Sequence, residues 1–155
     1  MADVASVVPK NYSYQCNGGK LHSFSSQYHH ESRALNLVMR DHAICWFTSA
    51  AEPLPANVVI DMGQQISLNR LGIFLHGESN QNPAHVRYEV SVEAPESEAC
   101  EWHTLVDTPL PQRGGVFMWE VEGGKTARYV RYTIDSNYGG SGAYTTKLYL
   151  FGVPA

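Results

Sequence analysis

Apolar and polar residues alternate along most of this chain, most clearly at 127–152. There Tyr129, Arg131 and Thr133 share one side and Val130, Tyr132 and Ile134 the other, the period-two signature of a half-buried β-strand. The alternation breaks at 137–142, Asn-Tyr-Gly-Gly-Ser-Gly, where glycines allow positive φ and Tyr138 and Tyr144 flank the loop. A second strand follows over 144–151, with Thr145, Lys147 and Tyr149 alternating against Thr146, Leu148 and Leu150. Two strands joined by such a loop predict a rigid β scaffold presenting a recognition loop.

The same reading predicts strands over 20–24, 44–48, 57–62, 67–76, 86–93, 102–105 and 116–121. In the fifth of these, Val86, Tyr88, Val90 and Val92 face inward and Arg87, Glu89, Ser91 and Glu93 outward. Residues 1–24 read as polar and irregular before the first strand, with a turn at 16–19. Residues 31–39 read as a short helical turn with Ser32 near its cap and Leu35, Val38 and Met39 inward. Residues 122–125, Glu-Gly-Gly-Lys, read as a tight turn. Roughly eight strands punctuated by Gly, Pro and Asn predict an all-β fold, an antiparallel two-sheet β-sandwich jelly roll. At 155 residues the chain is expected to form one domain over 1–155, large enough for a core without metal or disulfide staples.

Composition narrows the function classes. The net charge of −4 is spread along the chain with no basic run, which argues against binding a nucleic-acid backbone. No apolar run approaches the length of a membrane span. Cys16, Cys45 and Cys100 are odd in number and lack framework spacing, and the start of the sequence lacks a basic stretch followed by an apolar one. A reducing intracellular compartment, such as the cytoplasm, is therefore the expectation.

The order of motifs resembles the discoidin or factor V/VIII type C superfamily, which includes galactose-binding-like carbohydrate-binding modules. Its first loop is matched by 36–48 through Asn36 and Trp46. The strand ending in Asp-Leu-Gly and its successor are matched by Asp61-Met62-Gly63, Ile66 and 69–73. Tyr88-Glu89-Val90-Ser91, Trp102 with Leu105, 127–132 and Leu150-Phe151-Gly152 complete the series over roughly 20–152. The resemblance implies a galactose-binding-like sandwich and, in many members, a structural calcium held by an acidic first-loop residue and a last-strand glutamate. Those positions are Met39 and Lys147 here, so no metal and no cofactor is expected. The end-to-end disulfide of extracellular members is also missing.

Candidate chemistry lies in the loops. His29-His30-Glu31 and Asp41-His42 form the densest titratable cluster, but adjacent side chains diverge, so a solvated loop is the plainer reading. No hydrolase, zinc or phosphate-loop motif is present, and no enzyme activity is expected. Residues 76–83 pack an imidazole, a carboxylate and amides into one connection, a set that suits sugar hydroxyls beside an aromatic face. The candidate ligand residues are His76, Glu78, Asn80, Gln81, Asn82, Arg113, Tyr138 and Tyr144, with Arg87 on the strand that follows, and the ligand is expected among loops 28–42, 76–83, 110–115 and 137–144. Turn-making is the competing reading of the asparagines. Trp46, Trp102 and Trp119 read as core, and Phe47 faces away from Trp46. The expected function is non-catalytic recognition of a galactose-like carbohydrate. The alternative is a docking subunit that binds a protein partner, a role the resemblance also implies.

Overall fold

The computed structural model describes residues 8–155. Of the irregular opening expected over 1–24, residues 1–7 lie outside the described residues. Nine strands follow: β1 (Lys10–Asn11), β2 (Lys20–Phe24), β3 (Trp46–Phe47), β4 (Ala56–Leu75), β5 (Pro83–Ser91), β6 (His103–Pro109), β7 (Gly115–Asn137), β8 (Tyr144–Thr145) and β9 (Lys147–Pro154). Every pairing is antiparallel. Three-residue to five-residue 3-10 turns sit at Gln15–Asn17, His30–Ser32 and Ala34–Val38.

The frame is a long β4–β7 ribbon shared by two layers. Its first half pairs Ala56 with Ile134 through Asp61 with Tyr129, and is flanked by β2 on one side and β5 then β6 on the other. Its second half pairs Ile66 with Ala127 through Leu75 with Gly115, and is flanked by β9 and then β1. Register shifts between Asp61 and Ile66 and between Leu68 and Arg70 mark the bend. This is the sandwich the alternation predicts, with two differences. The strands expected at 57–62 and 67–76 are one strand, because the chain carries on through 63–65, with Gly63 at a φ of 84° where it bends. The tight turn expected at 122–125 is a bulge inside β7, where four residues between Glu120 and Lys125 face Asn69 alone. Gly123 and Gly124 supply the positive φ that lets the chain swell and return.

Aromatic side chains bridge the layers. Trp46, Tyr132, Tyr88 and Trp119 form a chain of ring contacts with centroids 5.2–6.4 Å apart. Each buried polar tip is satisfied, as burial in an apolar core requires. Tyr88 donates to Gly72 O across the sandwich at 2.7 Å, Tyr132 bonds Thr145 Oγ1 at 2.8 Å, and Trp46 Nε1 donates to Ser26 O at 2.8 Å. Val86, Tyr88 and Val90 are buried as alternation predicts, whereas Val92 is exposed beyond the end of β5. Glu89, expected outside, is buried because Arg131 grips its carboxylate at 2.9 and 3.1 Å and Arg87 approaches at 3.4 Å. Trp102 is half-buried under the Arg131 guanidinium, 4.3 Å from its ring centre.

Candidate functional site

The end of the sandwich where β4 stops and β5 starts gathers the candidate loops. Leu75 opposite Gly115, Pro83 opposite Asn137 and His85 opposite Pro109 bring loops 76–82, 110–114 and 138–143 to one edge. The β3–β8 pair adds the fourth wall, with Trp46 opposite Thr145 and Phe47 opposite Tyr144.

Gln81 ties two of these loops together. Its Oε1 accepts from Gly142 N at 2.8 Å, its Nε2 donates to Ser141 Oγ at 3.2 Å, and its carbonyl accepts from Tyr144 N at 3.3 Å. The Asn80 carbonyl accepts from Tyr138 N and Gly140 N. A Cβ at Gly140 would lie 2.6 Å from Gln81 Cδ and 2.8 Å from Asn80 O, so the close approach of the two loops requires glycine there.

Two adjoining depressions share Phe47 and Gln81. One, of about 300 Å3, is lined by Cys45, Phe47, His76, Glu78, Gln81 and Tyr144 with Gly77 and Ser79. The other, of about 320 Å3, is lined by Tyr28, His29, Ser32, Phe47, Gln81 and Ser141. Tyr28 is 57% exposed and meets Phe47 edge-on with centroids 5.6 Å apart. Thr146 Oγ1 accepts from His76 N at 3.2 Å and lies 2.6 Å from His76 Nδ1. The hydroxyl has one donor and two acceptor positions, so the direction of its bond to Nδ1 follows the imidazole tautomer, and Nε2 makes no hydrogen bond among the described residues. The Tyr144 hydroxyl is used up on Gly77, donating to its O at 2.6 Å and accepting from its N at 3.1 Å, and burial pushes it above the usual tyrosine value.

Of the nine residues singled out from sequence, His76, Glu78, Gln81 and Tyr144 meet in one depression. Asn80 sits exposed at the loop tip. Asn82 is fully buried and donates to Gly77 O and Arg113 O while accepting from Ser79 N, so its amide shapes the loop and faces no solvent. Arg87 lies on the outer face of β5 and is committed to Asp135 at 2.8 and 3.0 Å. Arg113 stacks on Phe117 at 4.3 Å, and the Tyr138 hydroxyl donates to Leu110 O. Tyr28 and Ser141 complete the rim without having been singled out. An exposed tyrosine within the polar run Ser25-Ser26-Gln27-Tyr28-His29-His30 is the signal that marks the first.

Lys147 lies beneath the rim. It is fully buried, and its Nζ donates to Asn36 O at 2.7 Å and Ile44 O at 3.2 Å. Asn36 braces the same loop through Glu31 O and Cys45 O. A calcium does not fit this donor set, because the ammonium takes the loop carbonyls and itself offers no oxygen. Desolvation brings Lys147 down to about 8 from the ordinary 10.5, with Asp41 and Cys45 pulling the other way. Between those two values the unfolded chain holds more protons, so stability rises with pH there. The expected gain is about 1 kcal/mol from pH 7 to pH 9. Burial raises Cys45 above 9.0, so its contribution falls once pH passes 9 and closes the window. Urea melts at pH 7, 8 and 9 check this: the rise appears in wild type and vanishes in Lys147→Met, and parallel curves would refute it.

These features define an antiparallel jelly-roll β-sandwich with its loops gathered at one end. Solved structures share that architecture. The family 32 carbohydrate-binding module of NanJ from Clostridium perfringens, in complex with galactose, superposes with a TM-score of 0.76 at 12% identity over 93% of this chain and 98% of its own. The C-terminal domain of a chitobiase from Bacteroides fragilis gives 0.74 at 21% identity over 89% and 95%. Chitosan-binding module 1 of a Paenibacillus chitosanase/glucanase gives 0.74 at 17% over 92% and 99%. At such identities the likeness is one of fold. No family model and no curated protein sequence matches the chain.

Proposed function

We propose that this chain is a non-catalytic carbohydrate-binding module that takes a galactose-type sugar at the rim between Tyr28, Phe47, His76, Glu78 and Gln81. The observation that carries the reading is the Tyr28–Phe47 aromatic pair standing among polar loops at the junction of two depressions. The axial hydroxyl of galactose leaves one ring face rich in C–H, which suits an aromatic surface. His76 Nε2, the Glu78 carboxylate and the second Gln81 amide hydrogen are suited to its hydroxyls. The rim is shallow and its polar groups exchange water for sugar, so affinity for one unit is modest and multivalency raises it. The likeness in fold to galactose- and chitosan-binding modules supports the reading. The three unpaired cysteines support a reducing compartment.

Titration with galactose, followed by amide shifts, tests it. Wild type is expected to saturate in roughly the millimolar range, with shifts at Phe47, His76 and Gln81, and Phe47→Ala to lose at least about tenfold. Silence toward a broad glycan panel, together with a stoichiometric protein partner, would replace this reading with a docking subunit.

A further inference from the structure

A second concavity lies away from the rim, on the outer face of β9. Leu148 and Leu150 point into the core, so Tyr149 and Phe151 stand on the opposite face. Their rings are nearly parallel, at 15° and 5.8 Å between centroids. Tyr14, Lys10 and Arg40, together with Asn17, wall the remainder of a groove of about 370 Å3. Its frame is fixed by Asn11, which is buried, donates to Leu148 O at 2.9 Å and accepts from Leu150 N at 2.9 Å. Asn17 Nδ2 donates to Asn11 O at 2.9 Å and locks the turn that carries Tyr14.

The electrostatics of this groove run against those of the chain. The protein carries a net −4, yet among the described residues no acidic side chain lines the groove and two cations do. Neither Lys10 nor Arg40 joins an ion pair among the described residues. Both are exposed and so are free to meet a ligand.

We propose that this groove is a second ligand site, for an acidic sugar unit: a saccharide ring bearing a carboxylate or a sulfate. The Tyr149 and Phe151 faces take the C–H surface of the ring. The Arg40 guanidinium engages the anionic group through paired N–H donors, and Lys10 adds a point charge. A neutral sugar leaves both cations unanswered. The site is independent of the rim reading, since it shares no lining residue with either rim depression.

The test is amide-shift titration of the intact chain with trigalacturonate, a sulfated galactose disaccharide, neutral galactotriose and sulfate ion alone. The charged saccharides are expected to shift Tyr14, Arg40, Tyr149 and Phe151, and galactotriose to leave them still. The response of each charged probe tells carboxylate from sulfate. Combined Lys10→Gln and Arg40→Gln changes, both at exposed positions, are expected to weaken binding by roughly tenfold or more, and added salt to weaken it further. Tyr149→Ala is expected to weaken the shifts that the charged saccharides cause at Tyr14, Arg40 and Phe151, while Phe47→Ala, which weakens sugar binding at the rim, leaves those groove shifts in place. The proposal is overturned if neither charged saccharide shifts the groove, if Phe47→Ala abolishes the effect, or if sulfate ion binds as well as the saccharides and Tyr149→Ala changes nothing.

Discussion

Lys147→Glu is expected to destabilise the protein by about 3–5 kcal/mol at pH 7. The ammonium it replaces is buried and is the only side-chain donor to Ile44 O and Asn36 O among the described residues. A carboxylate there sets acceptor against acceptor in a desolvated space, so it must either take up a proton or force the 34–45 loop open. For a chain of this size the midpoint of thermal unfolding is expected to fall by on the order of 10 °C. Lys147→Gln retains N–H donors of shorter reach and is expected to lose clearly less. A Glu variant that melts within a degree or two of wild type would show that the loop does not depend on this contact.

Much of the architecture is written in local alternation. Tyr129 to Ile134, Val86 to Val90 and Leu71 to Leu75 each specify their faces, and the structure places the apolar set of each inside. What the period of two does not encode is continuity across a bend. Asp61 and Ile66 belong to one strand because both edges of the ribbon bend together, and that depends on partners far along the chain. Glu89 fails for a similar reason: its charge predicts exposure, but Arg131 reaches it only after β5 and β7 pair. The loops around the rim were legible from composition, whereas the roles within them were not. Asn82 and Gln81 have the same chemistry in sequence, yet one amide is buried under Gly77 and the other lines both depressions. Arg87 looks like a rim cation until its strand register aims it at Asp135.

Trp46→Ala and Phe47→Ala, neighbours on a two-residue strand, are expected to part ways. Trp46 is fully buried, donates to Ser26 O and packs edge-on against Tyr132 at 6.4 Å. Its removal leaves a cavity between the layers and strips Ser26 O of its indole donor, at an expected cost of about 3–5 kcal/mol. It also loosens the β3–β8 pair that carries Phe47 to the rim, so sugar affinity falls along with stability. Phe47 is half-buried and lines both depressions, so its truncation removes the proposed ligand surface while the aromatic chain of the core stays whole. Its expected loss in stability is about 1 kcal/mol, against at least a tenfold loss in galactose affinity. Denaturant melts and galactose titrations of the two variants side by side separate the roles. If Phe47→Ala destabilised the fold as much as Trp46→Ala while leaving galactose binding intact, Phe47 would be a core residue and the rim would lose its aromatic floor.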